Sequence, residues 1–462
     1  MKPLFPKKDK NLDLCIGCGV CVALCPDNSL KMIINPYGEY NPVLYHDCKT
    51  ECGICINVCP FGEKNPDEDV IGQQLFGNVP GIQHKLETGF FLNTYVGYSK
   101  VNEHRNLGAS GGMATWILEN LIKDHEVDAV ICVTKNLDPN KLFKYTVFSS
   151  IEDIRKSSGS TYHPVELSEV LKYIVDIPGN YAIIGLPCFV KAIRLSQLYN
   201  KKLRKRITII LGLTCGQLKS VNYTTYLSTL AGLEEKPIQV QYRGKDSEKI
   251  ASNFFFSAMD KKGKEKKLFW NEGVAEAYLN RWFTINACNY CDDIFAECAD
   301  VTLMDAWLPE YSLDSKGTNL ILIRSIKVKR LLEKGIMLKD INLDTIPIDM
   351  VIQSQKGLIT IKRKYLAFRL YLNKKNGKKV VKKRVNPVRM KNPFLRNEVI
   401  YKEQMRIISR TYKKGENDIF RDDMEPILHL LRKNETYLKI IMLPIDIIQF
   451  FQRKIRSLLY ES

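Results

Sequence analysis

The segment CIGCGVCVALCP sets four thiols close together, at Cys15, Cys18, Cys21 and Cys25, and closes with a proline. A second set follows in CKTECGICINVCP, at Cys48, Cys52, Cys55 and Cys59, again ending in Cys-Pro. Three thiolates on one tight loop reach three irons of a [4Fe–4S] cube, and the fourth ligand must come from elsewhere. A chain built this way folds by locking two short loops around two clusters. The spacing predicts one cluster on Cys15, Cys18, Cys21 and Cys59 and another on Cys48, Cys52, Cys55 and Cys25. Three residues rather than two separate Cys48 from Cys52, so Cys48 departs most from the pattern. Zinc also binds paired thiols, but it requires neither the repeated motif nor the prolines.

Such spacing is that of bacterial ferredoxins, and it predicts an α+β, ferredoxin-like domain over residues 1–66. Disulfides account poorly for the chain's 14 cysteines. The opening residues, MKPLFPKKDKNLDL, carry neither an apolar run nor a small-residue cleavage site. No stretch reaches the roughly 18 apolar residues that a spanning helix needs. The expected compartment is the cytoplasm, where thiols stay reduced and metal or redox chemistry is the usual use of many cysteines.

From about Phe90 helical and β segments alternate. TWILENLIKDHE has helical apolar spacing, and VDAVICVTK, NYAIIGLPC and RITIILGLTC read as buried strands. This alternation predicts an α/β domain with a largely parallel sheet over residues 90–335. Ligands of such sheets gather at the carboxyl ends of the strands, where Cys188 and Cys215 stand. The loop NLGASGGMAT runs into a helix. Backbone N–H groups at a helix start bind phosphate, so Ser110, Gly111, Gly112 and Thr115 are candidates to hold a flavin pyrophosphate. A plain helix cap is the simpler role. A second loop, SSGSTYHPV, adds Gly159, Ser160 and Tyr162, with hydroxyls at Ser157, Ser158 and Thr161. His163 is a candidate proton donor, because an imidazole changes charge near neutral pH; a buried core role competes. There is no GxGxxG fingerprint and no Walker loop, so a direct nicotinamide site is unsupported.

Taken in order, the double cysteine motif, ASGGMAT, GSTYHPVEL, GLPCFVKAI, GLTCGQLKS, YRGKD, ACNYCDDIFAECAD and DAWLPEY followed by GTNLILIR resemble the coenzyme F420 hydrogenase/dehydrogenase beta-subunit family. The resemblance covers roughly residues 10–330. It implies an oxidoreductase that binds FAD and iron–sulfur clusters. Electrons would pass between a deazaflavin, ferredoxin or another soluble electron carrier and a redox partner protein. Relatives with unassigned substrates accompany surface-polysaccharide genes, which makes such a link a further expectation. The resemblance also implies a third [4Fe–4S] cluster on Cys288 and Cys291, completed by Cys215 and by Cys188, with Cys298 competing for the last place. Cys132, inside VICV, is expected in the core. Asp292 and Asp293 are expected at a helix start, where the dipole favours acids. Asp305 and Trp307 belong to a family motif, with packing the expected role of the Trp. The alternative reading is a non-enzymatic electron-transfer module in which the ferredoxin-like domain works and the α/β domain docks a partner.

Charge sets the remainder apart. From Lys356 onward 27 Lys and Arg face 10 Asp and Glu, nearly the whole of the formal +18. Residues 356–462 are expected as a basic, partly helical extension. Within it KKNGKKVVKKRVNPVRMKNPF reads as an exposed linker, and NETYLKIIMLPIDIIQFFQRKIRSLLYES as amphipathic helix with a break near Pro444. An apolar face flanked by Lys and Arg can lie on an anionic membrane surface, and an acidic redox partner fits the same charge. Charge without a binding module does not make a nucleic-acid site, so none is expected. The sequence carries no sign of an oligomeric state.

Overall fold

The computed structural model describes residues 13–460 apart from Glu51, Asn102 and Leu137, with side chains through Ile440. The two cysteine loops are built alike. Each turns on a glycine with positive φ, Gly19 at 76° and Gly53 at 70°, a conformation that penalises any residue with a Cβ. A single helical turn follows each, α1 (Val20–Ala23) and, after the hairpin β1 (Leu30–Ile34) and β2 (Tyr40–Leu44), α2 (Ile54–Asn57). The chain leaves through α3 (Glu68–Phe76), capped by the Asp67 side chain, which accepts from the Val70 N–H.

One eight-stranded sheet dominates the rest of the molecule. Its first half comprises β3 (Asn93–Ser99), α4 (Met113–Lys123), β4 (Ala129–Lys135), β5 (Phe143–Phe148), α5 (Ser168–Asp176), β6 (Tyr181–Gly185), α6 (Pro187–Tyr199) and β7 (Ile207–Leu213). Helix α7 (Val221–Leu230) leads to a small antiparallel sheet of β8 (Gln239–Gly244), β9 (Phe255–Met259) and β10 (Glu265–Phe269). The large sheet is completed by β11 (Val301–Asp305), β12 (Asn319–Ile323), α8 (Ile326–Met337) and β13 (Ile341–Thr345). Across it the order is β13-β3-β12-β11-β7-β6-β4-β5.

The sheet is mixed rather than largely parallel. Its inner strands β11, β7, β6 and β4 are parallel neighbours, while β5 on one side and β12, β3 and β13 on the other run antiparallel. Parallel pairing needs a long crossover, which the helices after β4 and β6 supply. The link between β4 and β5, residues 136–142, is too short for such a crossover and reverses the chain. Strands β6 and β12 are buried along their whole length, which is why they read as unbroken apolar runs.

Alternate residues feed two core layers. Ile131 and Ile183 face α5, α6 and the N-terminal loop residues Ile16, Cys18 and Val58. Val130 and Ala182 face α4 and α8, where Cys132 also packs, as expected. The cysteine loops are therefore part of the main core: Leu167, just before α5, donates its N–H to the Cys18 carbonyl at 2.8 Å.

Residues beyond 356 are helical, as α9 (Leu366–Lys375), α10 (Pro393–Arg410) and α11 (Asn417–Tyr460), but they are not a detached extension. Met405, Tyr412, Phe420, Met424 and Leu428 share one buried cluster with Tyr223, Tyr226, Trp282 and Phe283. The Phe420 ring lies 5.5 Å from Trp282 and 5.7 Å from Phe283. Lys383 and Arg384, expected in an exposed linker, are buried instead. Helix α11 runs through Pro444, where a break was expected. The amphipathic pattern from residue 441 onward concerns side chains outside the described residues. Among the described residues no helix is long and apolar enough to cross a membrane.

Candidate functional site

Burial raises the Cys15 thiol to about 11, and Cys59 stands near enough to add its repulsion. After burial, Cys18 is acted on by Cys15 and Cys59, and Cys21 by Cys18, Cys15 and Cys59. Cys55, raised to about 11 chiefly by burial, is flanked by Cys52, Cys25 and Cys48. The thiols of the two loops thus lie close together, with Cys55 also near Cys21 and Cys59. The Gly17 N–H donates to Cys15 Sγ at 3.3 Å, the kind of bond that steadies a thiolate.

A third group forms above the sheet. Pro187 opens α6 and places Cys188 in its first turn, while Cys215 follows the end of β7. Cys288 lies on the short 3-10 turn Asn286–Tyr290, and Cys291 directly follows it. Burial pushes Cys188 well up, and Cys291, Cys215 and Cys288 add to it. Cys215 is pushed to about 12 by burial and Cys288 is raised by it; the strongest opposing influence on both is the Lys362 ammonium. Lys362 Nζ stands 3.0 Å from Cys291 Sγ and 3.0 Å from the Asp293 carbonyl. The Leu218 N–H donates to Cys288 Sγ at 3.1 Å.

Cys298 sits apart from this group. After burial, its thiol answers to Glu68, Asp293, Lys191 and Glu297 rather than to another cysteine. Among the described residues no three His, Cys, Asp or Glu side chains close on a single metal ion. A four-iron cube asks for something wider, since each thiolate binds its own iron. Four cysteines facing one another, with N–H and ammonium donors beside them, fit that demand.

The acids after Cys291 do not start a helix; the segment is irregular. Asp292 accepts the Arg384 backbone N–H at 3.0 Å and pairs with the Arg384 and Lys383 side chains at 3.5 and 3.7 Å. Burial would raise this carboxyl, but Lys383 and Arg384 hold it well below the usual range. Asp293 is pushed up to about 7 by burial, with Glu297 and Glu68 adding, and it accepts the Glu297 N–H at 3.1 Å. The Arg384 guanidinium binds Glu297 at 2.6 Å and Asp69 at 2.7 Å. Buried acids need such partners, and here the tail provides them.

On the same side of the large sheet, a pocket is lined by Ser110, Arg243, Lys245, Asp305, Trp307 and Thr318. Arg243 pairs with Asp305 at 2.7 Å. Lys245 donates to the carbonyls of Arg105, Ser110 and Lys316, using the three donors an ammonium has. Trp307, 37% exposed, forms part of the wall rather than the core.

The Gly-rich loop borders this pocket through Ala109 and Ser110, and the Ser110 hydroxyl donates to the Thr318 carbonyl at 2.7 Å. Gly111 is packed: a Cβ there would stand 2.7 Å from the Gly97 carbonyl oxygen. Gly112 caps α4 with φ 77°, and the Met113 N–H is taken by Asn319 Oδ1 at 3.2 Å. One N–H at the helix start expected to receive phosphate is therefore taken by Asn319. Thr115 bonds the Ser158 hydroxyl at 2.8 Å, joining the two small-residue loops. Gly159 is exposed and Ser160 half-buried on the second loop.

Tyr162 packs against Tyr242 and Tyr278, at 5.5 and 5.4 Å between rings. It stands near Arg243, Asp305 and Cys215, and Tyr278 also stands near Cys215. Tyr162 thus has neighbours both in the pocket and in the cysteine group. His163 is a different case. Its Nδ1 lies 2.9 Å from Thr224 Oγ1, its ring faces Phe143, and burial lowers its pKa to about 4. It is a core histidine that burial keeps uncharged, and it does not line the pocket. Sequence reasoning assigned no role to Arg243, Lys245 or Lys362. The first two lie in YRGKD, whose alternating charge on a short strand was the available signal.

Residues 94–172 match the N-terminal part of the coenzyme F420 hydrogenase/dehydrogenase beta subunit, and residues 179–348 match its C-terminal part. Together these span more than half of the chain. The chain belongs to the coenzyme F420 hydrogenase/dehydrogenase beta-subunit family. Residues 14–63 match a 4Fe-4S dicluster domain, so this family member is an iron–sulfur electron-transfer protein. Among relatives, a subunit of the F(420)H(2) dehydrogenase of Methanosarcina mazei is 21% identical over 326 residues, covering 68% of this chain and 80% of that protein. An uncharacterised protein of Methanocaldococcus jannaschii is 24% identical over 379 residues, covering 74% of this chain and 93% of its own. In fold, the chain is similar to one from the F420-reducing [NiFe] hydrogenase complex of Methanosarcina barkeri. The TM-score is 0.50 at 16% identity, over 64% of this chain and 96% of that one. The family match stops at residue 348, short of Lys362 and Arg384.

Proposed function

We propose that this chain is a flavin- and iron–sulfur-dependent oxidoreductase subunit, moving electrons between a reduced organic carrier, such as a deazaflavin of the F420 type, and a partner protein. The observation that carries this reading is the meeting of Cys188, Cys215, Cys288 and Cys291, with Tyr162 near both Cys215 and the pocket residues Arg243 and Asp305. Two clusters belong to the N-terminal loops, on Cys15, Cys18, Cys21 and Cys59 and on Cys25, Cys48, Cys52 and Cys55. The third belongs to the group above the sheet, with Cys188 rather than Cys298 as its fourth ligand.

The pocket, about 260 Å³, suits the phosphate end of a flavin cofactor rather than the whole of FAD. Arg243 Nε is buried without a hydrogen-bond partner among the described residues, and such a donor suits a phosphate. Burial, with Arg243 and Arg105 beside it, lowers Lys245 to about 7, so an arriving anion would restore its charge. When bound, FAD exchanges electron pairs with an organic carrier and single electrons with clusters. Arg243 would hold the anionic end, Lys245 would add its charge while its donors keep the Arg105, Ser110 and Lys316 carbonyls in place, and Ser110 and Thr318 would shape the wall. His163 has no step in this reading.

A partner protein is in keeping with the names of the relatives, a dehydrogenase subunit and a hydrogenase complex. A surface-polysaccharide link and a membrane contact draw no support from these observations and stand outside the reading.

The test is iron, sulfide and flavin content per chain after anaerobic purification. About 12 irons with one FAD is expected, Cys288→Ser and Cys188→Ser each losing about 4 irons and Cys298→Ser none. About 8 irons without flavin would leave a plain electron-transfer module and sink the proposal.

A further inference from the structure

Lys362 is 2% exposed, and a buried ammonium is stable only beside compensating charge. Its Nζ donates to Cys291 Sγ and to the Asp293 carbonyl, each at 3.0 Å. Among the described residues no carboxylate lies within ion-pair distance of it. Sulfur is thus its nearest source of negative charge. The residue sits on a π-helical turn, Thr360–Tyr365, a local widening of helix that is rare and often marks a functional position. It lies beyond the stretch matched by the family, which ends at residue 348. The segment carrying it is anchored on either side, since Leu358 packs beside Gly216 and the Tyr365 hydroxyl donates to Glu398 at 2.7 Å.

We propose that Lys362 sets the reduction potential of the third cluster, as a fixed positive charge and N–H···S donor to Cys291 supplied by the segment after the family domain. This rests on the third-cluster reading above. A cube with four thiolates is anionic in both oxidation states and gains one further negative charge on reduction. A neighbouring cation therefore stabilises the reduced form more than the oxidised one and raises the potential. Reduction takes one electron, delivered from the flavin side; no bond to Lys362 changes and the ammonium keeps its proton. Cys215 and Cys288 also lie within reach of this charge, so it acts on the cluster as a whole. Lys362 touches neither carrier nor flavin pocket. It is a tuning residue, not a catalytic one.

The experiment is a redox titration of the full chain followed by electron paramagnetic resonance, with iron counted in each sample. Lys362→Gln removes the charge and keeps a polar side chain; Lys362→Arg keeps the charge and the donors. With about 12 irons retained, Lys362→Gln is expected to lower the reduced-to-oxidised ratio of the third cluster about tenfold at a given potential. That is a midpoint about 59 mV more negative. Lys362→Arg stays near the wild type. A Gln variant that sheds about 4 irons while the Arg variant holds them also supports the proposal, since charge is then what the cluster needs. An unchanged midpoint in a fully loaded Gln variant overturns it. So does loss of about 4 irons from both variants, which would make Lys362 a matter of shape. A wild type holding only about 8 irons is a separate result, because it removes the third cluster itself.

Discussion

Glu119, on α4, is fully buried and accepts from His104 at 2.9 Å and from Arg155 at 2.6 and 2.9 Å. Burial alone would raise its pKa, but these donors hold it down to about 2, against about 4.3 for an unfolded Glu. A carboxyl depressed by folding stabilises the protein above its unfolded pKa and ceases to do so as pH falls through the folded one. Glu119→Gln should therefore cost on the order of 3 kcal/mol near neutral pH and flatten the stability curve between about pH 4.5 and 2. Urea unfolding across that range reads both effects, and an unaltered acid limb would count against the pairing. At this scale legibility depends on distance along the chain. The N-terminal cysteines announce themselves because their ligand geometry is local, three thiols in one loop. Lys362 does not: its partner Cys291 is 71 residues away, and in sequence it is one lysine among many in a basic tail. His163 misled for the opposite reason, because a side chain that titrates near neutrality in water loses that property once buried beside Phe143.

Elements were legible where burial is uniform. VDAVICVTK, NYAIIGLPC and RITIILGLTC became β4, β6 and β7, side by side and parallel. The antiparallel edges were not legible, since β3 pairs with β12 and β13 from the far end of the domain and no local period encodes that. The acidic stretch CDDIFAEC looked like a helix start because its acids were seen without the cations that claim them. Those cations sit in the stretch 378–392, where Arg384 bridges Asp292, Glu297 and Asp69. This segment works as a clasp over the loop that bears Cys288 and Cys291. Arg384→Met should leave buried carboxylates short of a partner and lower stability by about 3 kcal/mol, with faster proteolytic cutting between α9 and α10. If thermal unfolding and cutting rate both match the wild type, the clasp is dispensable.

On the scale of the whole molecule, the net charge of the tail suggested something separable, and the structure gives it the opposite character. Phe420 and Met424 complete the core around Trp282 and Phe283, Arg410 reaches Asp13 and Glu39 at 2.7 and 2.8 Å, and Lys362 reaches the third cysteine group. Excess charge says which residues are basic but not whether acids elsewhere in the chain are waiting for them. A chain ended at Gln355 should bare the Trp282 face, aggregate more readily and hold about 8 irons in place of about 12. A monomeric truncated protein with a full complement of iron would show the tail to be the accessory its composition suggests.

The hold of the tail on the third cysteine group bears on how the protein is made. All eight N-terminal thiols are in the chain by residue 59, whereas Lys362 follows about 300 residues later. At roughly 5–20 residues per second that interval lasts from about 15 seconds to a minute. During it Cys188, then Cys215, emerge without the strand, clasp and ammonium that enclose them in the finished fold. On the third-cluster reading proposed above, the nascent chain would pass through a stage with its first eight thiols in place and its last four not yet enclosed, and the third cluster would enter after the first two.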